Sequence, residues 1–127
     1  MSYSFNARHG LILVRAEVFG PHGTGTLTLA LDTGATTTTI NTGLLLAMGY
    51  DPSLAAERVE MTTGSGVEYA PRLAVVRIVA LGQERLDLNV IAHTLPPSAG
   101  VDGLLGLDFF RSQELNLDIR TGALSLS

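Results

Sequence analysis

The stretch Ala30-Leu31-Asp32-Thr33-Gly34-Ala35 decides the fold predicted for this chain. In it an apolar strand runs directly into Asp-Thr-Gly, a tripeptide whose residues favour turns. A second apolar segment, Leu104-Leu105-Gly106, reaches a glycine later in the chain. The first segment predicts a loop that presents Asp32, and the second predicts another strand. The Asp-Thr-Gly motif occurs once in the sequence.

Length and composition indicate a single domain over residues 1–127. A chain of 127 residues buries a modest core and leaves no room for a second one. Hydrophobic residues make up 46% and charged residues 16%, which is typical of a compact folded protein. The hydrophobic share is high for so short a chain, and this weakly indicates apolar surface that a partner covers.

Charge and residue usage exclude several classes of function. The net charge is −4, and the 8 cationic residues are scattered arginines, so we expect no nucleic-acid partner. Cysteine is absent, which excludes disulfides and thiolate metal sites. The longest apolar run, Leu44–Met48, is too short to cross a bilayer, so we expect no membrane partner. The N-terminus lacks a secretory pattern, and a cytoplasmic location is therefore the default expectation.

Short segments with a two-residue hydrophobic period predict a β-rich protein. The first two, Ile12–Phe19 and Thr24–Leu31, flank a turn at Gly20–Gly23, and alternate leucines of the second share one face. Further strands are predicted at Thr36–Ile40, Leu73–Leu81, Leu86–Ala92 and Gly103–Gly106, and in a closing hairpin from Leu115 to Leu126.

Two short helices are predicted between these strands. Asn41 is the expected cap of a helix over Leu44–Met48, which Gly49 and Pro52 end. The second helix is predicted over roughly Leu107–Gln113, with Asp108 as a capping residue at its start.

The segment Val59–Tyr69 predicts a β-hairpin because Thr63-Gly64-Ser65-Gly66 lies between two extended arms. Its apolar residues are predicted to share one face, and they are Val59, Met61, Val67 and Tyr69. A plain surface hairpin and a mobile flap over a binding cleft are both compatible with this pattern.

Other motifs favour ordinary structural roles. Asp102-Gly103 lacks an intervening threonine, so Asp102 is interpreted as a loop or capping residue. Gly20–Gly25 has no lysine and no strand-to-helix context, which indicates a turn and not a phosphate loop. His9, His22 and His93 show no metal-ligand spacing, and no metal site is predicted.

The two motifs and the segment Asp102–Arg111 together resemble retropepsin-like aspartic proteases of the cellular and bacterial branch. One relative of this kind is the protease domain of the DNA-damage-inducible shuttle proteins. The resemblance covers the chain from about Leu27 onward. It implies an all-β acid-protease barrel with one or two short helices, which forms half of a two-fold symmetric dimer. Viral enzymes carry a charged pair for which this chain has the uncharged Thr36 and Leu107.

The resemblance also implies a set of site residues. Asp32, Thr33 and Gly34 correspond to the catalytic motif, in which the threonine reaches across the dimer axis. The support strand corresponds to Leu104, Leu105 and Gly106. Residues expected to contact substrate are Ala35 and Thr36 beside the motif, and Met61, Thr62, Thr63, Gly64, Ser65, Gly66 and Val67 in the flap.

The function implied is endoproteolysis by a homodimer acting on peptide or protein substrates, with no cofactor and no metal. Such enzymes activate water with two carboxylates, one ionised and one protonated, and a chain with one motif supplies one of them. Pepsin-like enzymes place a hydroxyl at the position of Ala35, so we expect a working pH nearer neutral here. A catalytically silent dimerisation or peptide-binding module is the alternative, and a domain excised from a longer protein is a third reading.

Overall fold

The computed structural model describes residues 1–127 except the side chain of Thr63. Over this backbone one α-helix, α1 (Thr42–Ala47), and three 3₁₀ turns at Pro52–Leu54, Pro97–Ala99 and Leu107–Phe110 interrupt the strands. In chain order the strands are β1 (Ser2–Ser4), β2 (Leu13–Gly20), β3 (Gly23–Leu31), β4 (Thr39–Ile40), β5 (Glu57–Thr63), β6 (Gly66–Ala80), β7 (Gln83–Ala92), β8 (Gly103–Leu105), β9 (Leu115–Asp118) and β10 (Ala123–Leu126).

A closed barrel forms the body of the structure. Its strands follow the order β2-β3-β8-β4-β7-β6, and β6 pairs back with β2 to close the ring. Closure removes the free edges that an open sheet would expose. Strand β5 pairs with β6 outside the ring, and β1, β10 and β9 form a separate three-stranded sheet. The predicted all-β barrel is confirmed.

Alternating side chains build the core, as the two-residue period predicts. Val14, Ala16 and Val18 of β2 are buried, while the residues between them face solvent. Leu27 and Leu29 of β3 are buried in the same way. The largest fully buried side chains are Phe109, Leu29, Ile40, Leu45, Ile78, Leu105 and Leu124.

The hairpin predicted at Val59–Tyr69 is confirmed, but its predicted apolar face is wrong. Thr62 pairs with Val67 and Met61 pairs with Glu68, because two residues, Gly64 and Ser65, form the turn. Directly paired residues of an antiparallel ladder point to the same side of the sheet. Val59 and Met61 therefore lie on one face of the hairpin, and Val67 and Tyr69 lie on the other.

The strand predicted at Leu73–Leu81 is the second part of one long strand and not a separate element. Strand β6 continues from the flap hairpin through Pro71 to Ala80. Proline has no amide hydrogen and is tolerated only where one ladder bond is dispensable. At Pro71 the strand pairs with Arg58 of β5, and its pairing with β7 begins one residue later at Arg72.

The strand predicted after the Asp32 loop and the first predicted helix have different bounds in the structure. The strand expected at Thr36–Ile40 is limited to Thr39–Ile40, because residues 36 and 37 form a bend. Helix α1 begins at Thr42 and ends at Ala47, and the Asn41 side chain does not cap it. Instead, Asn41 Oδ1 accepts a hydrogen bond from Leu95 N at 3.1 Å.

The helix predicted over Leu107–Gln113 is a 3₁₀ turn that ends at Phe110. Phe109 and Phe110 are both buried, and their rings meet edge to face with centroids 5.3 Å apart. The turn is therefore held by packing on the core and not by a capped helix. None of the helices in the described chain is long and apolar enough to cross a membrane.

Candidate active site

The Asp32 loop follows directly from β3, next to β8 in the parallel ladder. Leu31 pairs with Leu105, and Asp32 N donates to Leu105 O at 2.9 Å. Ala35 N donates to Asp32 O at 3.1 Å, which closes the turn. The loop is thus fixed by main-chain hydrogen bonds at its entry and within its own turn.

The Asp32 carboxylate is held by the backbone two residues ahead. Gly34 N donates to Asp32 Oδ1 at 2.8 Å. A Cβ atom at position 34 would lie 3.1 Å from the same oxygen, so the absence of a side chain eases this close approach. Asp32 is half-buried, whereas Thr33 and Gly34 are exposed. The tip of the loop therefore presents the carboxylate beside two exposed residues.

Gly106 lets the support strand pass very close to this loop. A Cβ atom there would lie 2.8 Å from Ala35 O, 2.9 Å from Thr37 C and 3.0 Å from Thr38 N. All three are backbone atoms, which cannot rotate away as the end of a side chain can. Leu107 N donates to Ala35 O at 2.8 Å and ties the two segments together.

Thr38 connects the loop, the support strand and the 3₁₀ turn from a fully buried position. Its hydroxyl donates to Asp108 Oδ1 at 2.7 Å and accepts from Gly106 N at 3.1 Å. Thr38 N lies 3.0 Å from both carboxylate oxygens of Asp108. Burying these polar groups is tolerable because each one has a partner.

This network corrects the role predicted for Asp108. The carboxylate was expected to cap the following helix, but it accepts hydrogen bonds from Thr38, which lies 70 residues away in sequence. Sequence reasoning missed Thr38 because it is one of four successive threonines with the same local pattern. Among the four threonines, Thr38 is the one that lies beside Gly106 and Asp108, because β8 is aligned in this way with the Asp32 loop.

Replacing Thr38 tests this network. Thr38→Val keeps the volume but leaves Gly106 N without a partner and removes the bond to Asp108, so we expect a loss of about 3 kcal/mol in the free energy of unfolding. Thr38→Ser keeps the hydroxyl and should cost only about 1 kcal/mol for the lost methyl group. Urea unfolding of both variants measures the difference, and equal losses would contradict the proposed bridging role.

Asp102 behaves as the loop residue that the sequence predicts. Its Oδ2 accepts from Thr28 N at 2.8 Å, and its own N donates to Thr28 O at 2.8 Å. Asn41 N donates to Asp102 O at 2.9 Å. Asp102 therefore braces β3 and the start of α1 at the entry of β8.

The predicted site residues fall into two groups in the structure. The first group brings Asp32, Gly34 and Ala35 against Leu105 and Gly106, while Leu104 pairs with Ala30 and Thr39 on either side. The second group is the flap hairpin, where Met61, Thr62, Val67 and Gly66 pair within β5 and β6. The side chain of Thr63 lies outside the described part of the chain.

The flap tip contains a glycine that the backbone requires. Gly66 has φ +125°, a conformation that other residues rarely adopt, and a Cβ there would meet nothing within 4 Å. Gly64 is equally open, but its φ does not lie in that range. Gly64, Ser65, Gly66 and Val67 are all exposed.

Thr36, which was also predicted to contact substrate, is exposed at the bend after Ala35.

Among the described residues, no group of three or more His, Asp or Glu side chains is arranged to hold a metal ion.

The barrel and the braced Asp-Thr-Gly loop define a retropepsin-like aspartic protease domain. Residues 22–112 match the family described as "gag-polyprotein putative aspartyl protease", and the chain belongs to this family. The match contains both Asp32 and the support strand.

One solved structure extends the likeness to the whole fold. It is the crystal structure of a retropepsin-like aspartic protease from Rickettsia conorii, with a TM-score of 0.73 and 18% sequence identity. The alignment covers 100% of this chain and 97% of that chain. At this identity the likeness concerns the fold alone. No curated protein matches the sequence.

Proposed function

We propose that this protein is a homodimeric aspartic endopeptidase whose two Asp32 carboxylates, one from each chain, activate a shared water molecule. The observation that carries the proposal is the single Asp32 carboxylate, held by Gly34 N at 2.8 Å on a loop that β8 braces from behind. One carboxylate is half of the acid–base pair that this chemistry needs. A two-fold axis beside the loop supplies the other half from an identical chain.

The proposed mechanism assigns different protonation states to two chemically identical groups. Two carboxyl groups a few Å apart do not both ionise, because their negative charges would repel each other. One of them therefore keeps its proton. The ionised carboxylate takes a proton from water, and the resulting nucleophile attacks the peptide carbonyl. The protonated carboxyl donates a hydrogen bond to the carbonyl oxygen as negative charge develops there. The two chains are identical, so either one can take either role.

Exposure of the loop tip supports the dimeric arrangement. Thr33 and Gly34 are exposed in the single chain. In the dimer we assign Thr33 to contacts with the same loop of the partner. The hydroxyl both donates and accepts, so two symmetry-related threonines can each satisfy a partner group.

The flap hairpin is assigned to closure over the bound peptide. Extended substrates would lie between the flap and the Asp32 loop, bound by strand-like hydrogen bonds to the backbone. The exposed glycine-containing tip is suited to opening and closing.

Gly66 and Gly64 give a matched test of the flap. Gly66→Ala forces a residue with a Cβ into φ +125° and should distort the tip, so we expect KM to rise by about tenfold with little change in thermal stability. Gly64→Ala meets no neighbour within 4 Å and lacks the positive φ, so its KM should stay within about twofold of the parent value. Steady-state kinetics on one cleaved peptide compare them, and equal KM values for both variants would remove the flap assignment.

The experiment that tests the proposed function is cleavage of an unbiased peptide mixture. New peptide termini, identified by mass spectrometry, should appear with the parent chain and be absent with Asp32→Asn. Cleavage by both chains to the same extent, or by neither, would reject the proposal. In the second case a catalytically silent peptide-binding module would remain.

A further inference from the structure

An arginine-lined cavity lies beside the bend that follows the Asp32 loop. Its volume is about 420 Å³, and Thr36 and Thr37 of the bend form part of its wall. Arg72 from β6, Arg85 from β7 and Arg111 from the segment after the 3₁₀ turn line it as well. We call this cavity the arginine pocket. These three arginines come from separate parts of the sequence, and the fold brings them together.

Arg85 is a fixed positive charge in the wall of the arginine pocket. Its Nε donates to Phe109 O at 2.9 Å, and its two terminal nitrogens donate to Glu84 O at 2.9 Å and Gln113 Oε1 at 2.6 Å. The guanidinium also lies 4.8 Å from the centre of the Phe109 ring. All these partners are neutral, so they orient the guanidinium without cancelling its charge.

Arg72 retains an unused donor. Its Nε is buried and has no hydrogen-bond partner among the described side chains. The terminal nitrogen NH1 lies 3.6 Å from Glu57 Oε2, but these two side chains are 38% and 70% exposed, and such pairs are weak in water. A buried donor without a protein partner is available to an acceptor from a ligand or from water. A carboxylate oxygen is the acceptor that suits a guanidinium best.

The acidic residues of the arginine pocket leave it with an excess of positive charge. Asp108 lines the cavity, but its carboxylate already accepts hydrogen bonds from Thr38. Asp87 is the other acid in the wall, and it is exposed. Arg111 is exposed and takes part in no ion pair among the side chains that the structure describes. The lining therefore carries three guanidinium groups and two carboxylates, an excess of one positive charge, and Glu57 outside the lining offsets part of the charge of Arg72.

The position of the arginine pocket relates it to the peptide cleft. Ala35 is tied to Leu107 by a 2.8 Å hydrogen bond, and the chain bends into Thr36 and Thr37 immediately afterwards. An extended peptide advances by about 3.3 Å per residue. Because Thr36 and Thr37 follow Asp32 closely in the chain, we assign to this wall a side chain two to four residues from the cleaved bond.

From these observations we infer that the arginine pocket is a specificity subsite for an acidic side chain of the peptide substrate, two to four residues from the cleaved bond. The inference rests on the proposed function. Because the proposed dimer has two-fold symmetry, each chain contributes one such subsite, and acidic residues are favoured on both sides of the cleaved bond.

The test uses peptides that differ only by Glu, Gln or Lys at each position around one cleavage site. For the parent protein we expect the Glu peptide to have a kcat/KM about tenfold above that of the Gln peptide at the matching position, and the Lys peptide to fall below both. The Glu preference should shrink with added salt, because part of the arginine pocket is open to solvent. Equal kcat/KM values for Glu and Gln at every position, with cleavage intact, would overturn the inference.

Substitutions that remove either a positive or a negative charge from the arginine pocket make the test specific. Arg111→Gln and Arg72→Gln should each reduce the Glu preference, measured as the ratio of kcat/KM for the Glu and Gln peptides, to about twofold. Asp87→Asn removes the free acid of the wall and should increase the Glu preference. Arg120→Gln is the matched control, because Arg120 is exposed on the β9–β10 turn, outside the arginine pocket. A Glu preference that survives both arginine substitutions would place the subsite elsewhere.

A binding measurement separates failure of this inference from failure of the proposed function. The Asp32→Asn variant, mixed with labelled Glu and Gln peptides, should bind the Glu peptide about tenfold more tightly by fluorescence anisotropy. The NMR signal of Arg72 Nε should shift with the Glu peptide and stay in place with the Gln peptide. If the parent protein cleaves nothing, these two readouts still decide the inference. Equal affinities and an unshifted Nε signal would reject it.

Discussion

Asp32→Asn will lower kcat/KM for peptide cleavage by about 10⁴-fold, because the substitution removes both carboxylates of the proposed dimer at once. The asparagine Oδ1 still accepts the hydrogen bond from Gly34 N, so the loop and the barrel should keep their structure. We therefore expect kcat to fall, while KM and the thermal unfolding midpoint stay close to the parent values.

The matched control is Glu17→Gln, which makes the same carboxylate-to-amide change at an exposed position of β2. It should leave kcat within about twofold of the parent value. Activity of Asp32→Asn within tenfold of the parent would show that another group activates the water.

Mixing the two chains tests whether the active species contains two Asp32 residues. When equal amounts of parent and Asp32→Asn chains exchange freely, about a quarter of the dimers contain two parent chains. Activity per parent chain should then fall to about half of its value without the variant. Adding Glu17→Gln chains instead should produce no such fall. Unchanged activity in the Asp32→Asn mixture, with exchange shown by mass spectrometry, would exclude a shared site.

The parts of the fold that the sequence predicts correctly are those with a local physical cause. Strand β2 alternates between exposed and buried residues from Leu13 to Val18, and β3 does so from Thr26 to Leu29, so their pattern defines an inner face. The Asp-Thr-Gly turn and Gly106 are also predictable, because two backbone segments that approach so closely need a residue without a side chain. In the structure Gly106 lies against Ala35 and Thr38, and its supporting role stays a prediction.

The parts that the sequence does not reveal depend on distant partners. Strand β1 consists of only three residues, Ser2–Ser4, too few for their pattern to define a strand, and its backbone pairs with β10 at the other end of the chain. In the same way, the bond between Thr38 and Asp108 spans 70 residues. Local patterns carry no information about such pairs, because the partner is defined only by the completed barrel.

The hairpin shows how a difference of one residue in the length of a turn changes which side chains share a face. A two-residue turn at Gly64-Ser65 sets the register that pairs Met61 with Glu68. A loop longer by one residue would place Met61 opposite Tyr69 and restore the face that the sequence predicts. The arginine pocket depends on the same kind of information, since Arg72, Arg85 and Arg111 meet only when β6, β7 and the 3₁₀ turn are in place.

Gly106→Ala will destabilise the protein and impair catalysis together. The new methyl group would lie 2.8 Å from Ala35 O and within 3.0 Å of Thr38 N, so the Asp32 loop must move away from β8. Overpacking of this kind costs about 3 kcal/mol, and for a domain of this size the thermal midpoint should fall by about 10 °C. A displacement of the loop by part of an ångström should also lower kcat by about 10²-fold, because the two carboxylates would no longer meet in register.

Gly43→Ala is the matched control for this substitution. Position 43 lies in α1, where a Cβ atom meets nothing within 4 Å, so the alanine variant should be as stable as the parent or slightly more so. Calorimetric unfolding and steady-state kinetics, run on both variants below their midpoints, separate lost stability from a displaced site. If Gly106→Ala unfolds within about 2 °C of the parent and keeps its kcat, then the close packing of β8 against the Asp32 loop does not position the carboxylate, and the support role of Gly106 is refuted.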